Sequence, residues 1–296
     1  MLDAAPVLPL IGRIVKQSYK KLARKEQEGG GDGESLSENE KYPSAAEAVS
    51  NVFEECWKIP ELRAKADQLV SAAKEHHQSV TDKYDVRVLE FDKYGKKFIK
   101  QAGFDNFDFC QMAMQLASYR LFGKQVGTYE ATLTRKFLHG RTETCRPVSP
   151  ESQAFVQCMS DQKSSDNRAE KLRLLKQACE SHAEYSRKAS EGLGVDRHFF
   201  GLANIARELG EEEPTLFSDP VFKRSQTWRM STSAVSYPPG FGPSTDDGLG
   251  VGYCVQADRL VFTCTSLKEN GNLPKFCEIL EEALIEMGDL VAPDSA

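Results

Sequence analysis

From Glu61 onward, the sequence alternates between long segments with a helical period and short segments with the composition of strands. Apolar residues after Pro274 recur every three or four positions as far as Leu290, which predicts an amphipathic helix. β-Branched and aromatic residues dominate four short runs that predict strands: YDVRVLEF, GTYEATLTRKF, GVGYCVQA and RLVFTCTS. Because long helices and separated strands must bury their apolar faces against one another, the pattern predicts an α/β fold.

Capping and turn residues predict where several of the helices begin and end. Ser149 followed by Pro150 is typical of a helix start, because serine caps free amides and proline fits the first turn. Gly192 and Gly194 are expected to end a helix, and Asp196 is expected to cap the next one. Other helices are predicted over three segments: Glu61 to about Thr81, from Asp105 onward, and Ser165 to Glu191.

The first fifty residues differ from the rest of the chain. Apolar positions between Val7 and Lys25 recur at helical spacing, so residues 1–27 are predicted to hold one amphipathic helix. Residues 28–50 are polar, rich in glycine and serine, and without any period, which predicts a flexible linker. We therefore expect the main domain to span residues 51–296.

Composition and charge exclude several functional classes. The 296 residues carry a formal net charge of -6 and no basic stripe, so a nucleic-acid partner is not expected. No run approaches the roughly 18 apolar residues that a membrane span needs, so no transmembrane segment is expected. The eight cysteines form no CxxC pair and the five histidines show no ligand spacing, which predicts reduced thiols and no metal site.

Three consecutive hydroxyl residues, Ser231, Thr232 and Ser233, precede a turn rich in proline and glycine. Hydroxyls at such a position commonly bond to the local backbone. A nucleophilic serine would need a neighbouring base, and the GxSxG pattern is absent. The remaining chemical use of a serine hydroxyl is to donate a hydrogen bond to charge that develops in a transition state. The residues alone leave the backbone role and the oxyanion role open.

Four motifs together resemble the choline/carnitine acyltransferase family. They are TYEATLTRKFLHGRTETCRP, DRHFFGL, STSAV and GFGPSTDDGLGVGY, and they occur in the order and approximate spacing seen in that family. The resemblance covers roughly Glu61 to Val291, and the wording HGRTETCRP is closest to the mitochondrial carnitine palmitoyltransferase branch. It implies the C-terminal half of a two-domain, CoA-dependent acyltransferase with a chloramphenicol acetyltransferase-like mixed sheet packed with helices.

The same resemblance implies reversible transfer of a fatty acyl group between coenzyme A and the carnitine hydroxyl. In the family pattern, Tyr129, Thr142 and Arg197 hold the carnitine carboxylate, for which an arginine offers a two-pronged donor. Phe241 corresponds to the aromatic that faces the trimethylammonium group. Choline has no carboxylate, so this set favours carnitine over choline as the acyl acceptor.

Family correspondence also assigns the serines and two lysines. Ser233 matches the hydroxyl that stabilises the tetrahedral oxyanion, Ser231 helps to hold carnitine, and Thr232 is expected to be structural. Lys96 and Lys100 match the pair that contacts the CoA phosphates, and their spacing of four places both on one helical face. The resemblance implies that acyl-CoA and carnitine are the substrates and that the reaction uses no metal or other cofactor.

No histidine of the chain fits the family's general base. MLDAAPVLPLIG resembles the second part of the base motif, with Asp3 as its acid, so the histidine is expected about two positions before Met1. One interpretation is a fragment of a carnitine acyltransferase that is inactive alone and needs the N-terminal half of the enzyme. The other is a noncatalytic module that binds CoA, carnitine or a partner chain.

Two further properties stay open at this level. The resemblance favours a mitochondrial location first and a peroxisomal one second. Pro239 and Gly240 correspond to the place where the family opens or closes its acyl pocket. A glycine there permits a longer acyl chain but does not define its length.

Overall fold

A computed structural model describes residues 60–161, 167–236 and 240–293. The helix expected in residues 1–27, the linker expected at 28–50, Asp3 and Pro239 lie outside the described residues. The chain divides into two compact units, Met1–Ser79 and Val80–Ala296. All of the sites expected from the sequence, apart from the N-terminal base motif, fall in the second unit.

The described residues form nine α-helices and six strands. The helices are α1 (Pro60–Thr81), α2 (Lys96–Gln101), α3 (Asn106–Phe122), α4 (Pro150–Ser160), α5 (Arg168–Ser190), α6 (Asp196–Glu208), α7 (Thr215–Ser218), α8 (Pro220–Ser225) and α9 (Leu273–Val291). The strands are β1 (Tyr84–Phe91), β2 (Thr128–Leu133), β3 (Thr142–Cys145), β4 (Met230–Ala234), β5 (Leu249–Val255) and β6 (Leu260–Leu267). A 3₁₀ turn, Lys268–Asn270, precedes α9.

All six strands belong to one mixed sheet in the order β1-β6-β5-β4-β2-β3. Two of the five strand pairs, β5 with β4 and β4 with β2, are parallel, and the other three are antiparallel. A mixed sheet packed with helices confirms the α/β class predicted from the alternating sequence pattern.

The two faces of the sheet differ in what covers them. On the helix-covered face, Thr232 and Tyr253 are almost fully buried, and α3 reaches this face through Gln111. On the opposite face, which we call the open face, Val86 and Val88 of the edge strand β1 are each 56% exposed, although Thr263 and Thr265 of β6 are buried. Residues that pair directly across strands point to the same face, so the strand register determines which side chains share each face.

Local capping explains where the main helices begin. Asp105 accepts a hydrogen bond from the amide of Phe107 and caps α3. Ser149 and Ser152 form a reciprocal capping box at the start of α4, with Pro150 in its first turn, as the sequence predicts. α3 is buried along most of its length and, with α9, supplies much of the core between the helices and the sheet: Phe109, Met112, Met114, Leu116, Phe276, Leu280, Leu284 and Met287.

Two predictions made from the sequence need correction. The strand expected from Gly127 to Phe137 ends at Leu133, because the chain turns at Thr134, whose carbonyl accepts a hydrogen bond from the amide of Phe137, before pairing back as β3. The cap expected from Asp196 is wrong, because Val195 occupies the cap position and Asp196 is the first residue of α6.

Two further features of the described residues concern the helices and the cysteines. None of the helices is long and apolar enough to cross a membrane. The seven cysteines in this part of the chain are free thiols, and five of them are buried. Cys145 lies in β3 and Cys264 lies in β6.

Candidate active site

Arg197, Tyr129 and Thr142, which the sequence assigns to one site, lie together. The Arg197 Nη2 atom donates to the Tyr129 hydroxyl at 3.2 Å, and its Nε atom donates to the Thr142 backbone oxygen at 2.9 Å. Both acceptors are neutral. None of the ion pairs among the described residues includes Arg197, so its positive charge has no carboxylate partner there.

Contacts from two other residues hold the first turn of α6, which carries Arg197. The Glu143 carboxylate in β3 accepts from the Arg197 amide at 3.3 and 3.2 Å, which satisfies an amide at the helix start that no residue of α6 caps. The Asp196 carboxylate accepts two hydrogen bonds from the Arg146 guanidinium, at 2.6 and 3.0 Å. Asp196 therefore anchors the helix through a buried, bidentate ion pair instead of capping it.

Aromatic packing holds the Tyr129 ring beside this arginine. The rings of Tyr129 and Trp228 meet edge to face with their centroids 5.7 Å apart. The Arg146 guanidinium lies 4.5 Å from the centre of the Trp228 ring. These contacts limit the positions that the Tyr129 hydroxyl can take.

Ser231 and Ser233 share the open face with Tyr129. Tyr129 pairs directly with Ser231, and Ser231 pairs with Gly250, so the three residues form one row across β2, β4 and β5. Ser233 pairs with Gly252 in the next row. Within residues 60–161, 167–236 and 240–293, neither serine hydroxyl has a hydrogen-bond partner. The local backbone that the structure describes therefore forms no bond with either serine hydroxyl.

Thr232, between the two serines, points to the helix-covered face. Its hydroxyl donates to the Tyr129 backbone oxygen at 2.9 Å and accepts from Gln111 Nε2 at 2.9 Å. It is 1% exposed. Thr232 thus joins β4 to β2 and to α3, which agrees with the structural role expected for it.

Phe241 approaches the same region through its backbone. Its carbonyl oxygen accepts a hydrogen bond from the Thr265 hydroxyl. A side chain at Gly250 would place its Cβ 2.4 Å from that oxygen, so only glycine permits this close approach. The half-buried Phe241 therefore lies over β5 and β6, beside the row that contains Ser231.

Lys96 and Lys100 lie elsewhere on the second unit. Both are exposed on α2, and the amides of Lys96 and Lys97 donate to the oxygens of Gln256 and Ala257 at the turn between β5 and β6. The spacing of four places them on one face of this short helix, as predicted. The Arg197 cluster lies beside β2 and β3, and in the sheet β4 separates β2 from β5.

A buried charged cluster on the helix-covered face was missed by the sequence analysis. His182 in α5 contacts Asp108 Oδ1 through Nδ1 at 2.5 Å and Glu130 Oε2 through Nε2 at 2.6 Å. The Tyr253 hydroxyl donates to the other Glu130 oxygen at 2.6 Å. His182 is 4% exposed, so it cannot reach a substrate on the open face.

The pKa shifts in this cluster follow from burial and pairing. Burial disfavours the charged His182 ring, but its hydrogen bonds with Asp108, Cys145 and Glu130 outweigh burial and hold its pKa well above the ordinary value. Burial raises the pKa of Asp108 despite its contact with His182. For Glu130, burial opposes ionisation, but the hydrogen bond and charge of His182 lower the pKa overall.

Glu130, Cys145 and His182 also have the geometry of a metal-ligand group, since their ligand atoms lie within 4.8 Å of one another. A ligating histidine must offer an unprotonated nitrogen. Both His182 nitrogens face carboxylate oxygens at hydrogen-bond distance, which suits a ring that carries two protons. This cluster therefore fits an ion pair better than a metal site.

Comparison with known proteins identifies the family. The model of the Choline/Carnitine o-acyltransferase family matches residues 1–282. The chain belongs to this family. The motifs TYEATL, DRHFFGL and STSAV thus come from an acyltransferase sequence, and the residues that they supply meet around Arg197 and the open face.

Individual relatives of the chain include enzymes named for choline and enzymes named for carnitine. Mitochondrial carnitine O-acetyltransferase of Saccharomyces cerevisiae is 40% identical over 203 residues, which cover 67% of this chain and 30% of the relative. Choline O-acetyltransferase of Rattus norvegicus is 35% identical over 228 residues, 75% and 36% of the two chains. Carnitine O-acetyltransferase of Columba livia is 34% identical over 244 residues, 80% and 38% of the two chains.

The chain thus spans about a third of the length of these relatives, at 30% to 38% of each. Among solved structures, the dihydrolipoamide acetyltransferase of Azotobacter vinelandii aligns with a TM-score of 0.37 and 11% identity, over 76% of this chain and 90% of the other. That similarity is too low to inform the site. Membership of the family establishes an acyltransferase ancestry, and both choline and carnitine enzymes occur within it.

Proposed function

We propose that this chain is the substrate-binding half of a carnitine O-acyltransferase. The complete enzyme would transfer an acyl group reversibly between the thiol of coenzyme A and the hydroxyl of carnitine. The observation that carries the proposal is the Arg197 guanidinium, which neutral acceptors hold in place and which no carboxylate of the described residues neutralises.

An arginine in that state is suited to bind an external carboxylate. Nε and one Nη2 hydrogen bond orient the guanidinium plane, while its remaining donors stay available. A charged hydrogen bond to a carboxylate is worth about 1.5–3 kcal/mol. Carnitine carries a carboxylate and choline does not, so only carnitine would use this charge.

The serines of the open face fit the chemistry of the same reaction. The carnitine oxygen attacks the thioester carbon, a C–O bond forms, and the carbonyl oxygen becomes an oxyanion before the C–S bond breaks. Ser233 would donate to that oxyanion, and Ser231 would contact carnitine in the row of Tyr129. The unpartnered hydroxyls support these roles because no protein group competes for them among the described residues.

The general base is proposed to come from an N-terminal half of the same enzyme. It would accept the carnitine hydroxyl proton and return a proton to the departing CoA thiolate. Lys96 and Lys100 would contact the CoA phosphates, and Phe241 would face the trimethylammonium group. Acyl-CoA and carnitine are substrates in this reaction, which needs no metal or other cofactor.

The second candidate is a noncatalytic module that binds carnitine or CoA. The same contacts support it, because Arg197 held by neutral acceptors can bind a carboxylate without any catalytic base. Release of CoA thiol from acetyl-CoA and carnitine, seen only when the N-terminal half of a relative is added to the purified chain, would support the enzyme. Carnitine binding without turnover, unchanged when the N-terminal half of a relative is added, would support the module.

Calorimetry with carnitine and choline tests the proposed substrate. We expect the chain to bind carnitine more tightly than choline, and Arg197→Ala to weaken carnitine binding by about 10-fold to 150-fold while leaving choline unchanged. Arg187→Ala is the matched control, because Arg187 is an exposed arginine of α5 paired with Glu184 and Glu191. Equal affinity for the two ligands, or an equal effect of both substitutions, would refute the carboxylate assignment.

A further inference from the structure

The buried cluster of Asp108, His182 and Glu130 belongs to the opposite side of the strands that carry the candidate active site. Glu130 lies between Tyr129 and Ala131 in β2, so its side chain points away from the face that holds Arg197. His182 contributes no atom to that face. The cluster is therefore not part of the binding surface. Any effect that it has on the binding residues must pass through the strands of the sheet.

We propose that His182 is a positioning residue for this site. Its imidazolium, held between Asp108 and Glu130, keeps β2, β4 and β5 aligned and neutralises carboxylate charge beneath the carnitine pocket. The effect on ligand binding rests on the proposed function, whereas the charged state of His182 does not.

A continuous set of hydrogen bonds leads from His182 to the open face. His182 holds Glu130, and the second Glu130 oxygen accepts from the Tyr253 hydroxyl in β5. Gln111 Nε2 lies 3.5 Å from that hydroxyl and 2.9 Å from the Thr232 hydroxyl, to which it donates. Thr232 donates in turn to the Tyr129 carbonyl oxygen.

The end of this set lies directly under the site residues. Thr232 is the neighbour of both Ser231 and Ser233, and its acceptor belongs to Tyr129, whose hydroxyl meets Arg197. A shift of β4 against β2 would change the distance between Ser231 and Tyr129, which pair directly in the parallel register. Because catalytic and binding groups must be held closely to their working geometry, this alignment matters to the ligand.

The charge of the His182 imidazolium gives a second reason to assign a positioning role to this residue. Groups from four elements face the His182 ring or its carboxylates: Asp108 and Gln111 of α3, Glu130 of β2, Cys145 of β3 and Tyr253 of β5. No other cation contacts Asp108 or Glu130 among the described residues. Without the imidazolium, two buried carboxylates would lie under a pocket that must attract a third.

The state of the His182 ring can be measured directly by nitrogen-15 NMR of histidine-labelled chain. We expect both ring nitrogens of His182 to stay protonated at pH 8, where an ordinary histidine with a pKa near 6.5 is neutral. The other four histidines provide the internal comparison. A His182 ring that loses one proton near pH 6.5 would overturn the proposal whether or not the chain binds carnitine.

Substitution then separates positioning from simple core packing. His182→Gln should weaken carnitine binding by about tenfold. Adding Glu130→Gln should restore part of that loss, because the second amide removes the uncompensated carboxylate. Tyr94→Phe is the control, since it deletes a part-buried hydrogen bond to the Leu284 oxygen of α9 that involves no residue of β2 or β4. Unchanged carnitine affinity in folded His182→Gln, or an equal loss in Tyr94→Phe, would refute positioning.

Two outcomes would require a different experiment: a His182→Gln variant that does not fold, and a parent chain that does not bind carnitine. If His182→Gln does not fold, Asp108→Asn takes its place, and carnitine affinity equal to that of the parent chain would count against the proposal. If the parent chain does not bind carnitine, the proposed function fails, and the backbone amide resonances of Ser231 and Tyr129 decide. Shifts of these resonances in His182→Gln but not in Tyr94→Phe support positioning, and unchanged resonances overturn it.

Discussion

The two faces of β2 and β4 use polar residues in opposite ways. On the helix-covered face, Glu130 and Thr232 are buried and bonded to neighbouring side chains. On the open face, the hydroxyls of Ser231 and Ser233 have no partner among the described residues, and the Arg197 charge has no counter-ion there. One stretch of three hydroxyl residues thus serves both sides, because strand side chains alternate between faces. Partnered groups hold the sheet together, and the unpartnered groups are those to which we propose that the ligand binds.

The largest expected effect tests the helix-covered face. Glu130→Ala removes one partner of a buried charged pair, which costs about 3–5 kcal/mol of stability when the other charge stays buried. The measurement is the free energy of unfolding in urea at pH 7. Glu184→Ala is the control, because Glu184 is exposed and pairs only with surface cations, and it should cause no measurable change. Similar results for both glutamates would show that the cluster does not stabilise the fold.

The next largest effect belongs to the open face and should spare stability. Ser233→Ala removes the proposed oxyanion donor, so kcat for acyl transfer should fall by about 100-fold to 1,000-fold in the complete enzyme. The free energy of unfolding should stay the same, since the hydroxyl has no partner to lose. Ser231→Ala should mainly raise the carnitine concentration required. An unchanged kcat in Ser233→Ala would remove this serine from the oxyanion.

Much of the fold could be predicted from the sequence because its signals are local. The strands β1, β5 and β6, the helix that follows Asp105 and the cap at Ser149 follow from composition and turn chemistry. β3 and β4 were not predicted, since they are four and five residues long and carry mostly small hydroxyl residues without an apolar pattern. These two strands exist because neighbouring strands pair with them, which is a tertiary effect.

The candidate site divides along the same line. Family motifs supplied Arg197, Tyr129 and Thr142, which the structure brings together. The buried cluster was missed because Asp108, Glu130 and His182 lie on three separate elements, and no motif or spacing relates them. A glutamate directly after Tyr129, alternating inward in a predicted strand, was the one available signal, since an acid on a buried face requires a partner.

The stability of the helix-covered face should depend on pH in a defined direction. The His182 pKa lies well above its ordinary 6.5 in the folded chain, so the folded state keeps a proton that the unfolded state releases. This contribution is complete below pH 6.5 and declines as pH rises, by about 1.4 kcal/mol per pH unit until the folded-state pKa is reached.

Urea unfolding between pH 6 and pH 9 measures this decline. The comparison is a neutral variant in which His182→Gln, Asp108→Asn and Glu130→Gln are combined, so that no charge remains in the cluster. The stability of the parent chain should fall more steeply with pH than that of the neutral variant. Parallel curves would mean that His182 titrates alike in the folded and unfolded states.

The smallest expected effects come from a pair of isosteric changes on the two faces of the same strand pair. Tyr129→Phe deletes the hydroxyl that accepts from Arg197 on the open face, and a single neutral hydrogen bond is worth about 0.5–1.5 kcal/mol. We expect carnitine affinity to fall by about 2-fold to 13-fold with unchanged stability. Thr232→Val deletes the hydroxyl that bonds to the Tyr129 carbonyl and should instead lower stability.

Both changes act on Tyr129, one through its hydroxyl and one through its backbone. Calorimetry and urea unfolding of the two variants therefore separate the effect on carnitine binding from the effect on the stability of the sheet. A loss of stability in Tyr129→Phe equal to that in Thr232→Val would mean that the open face also holds the sheet together.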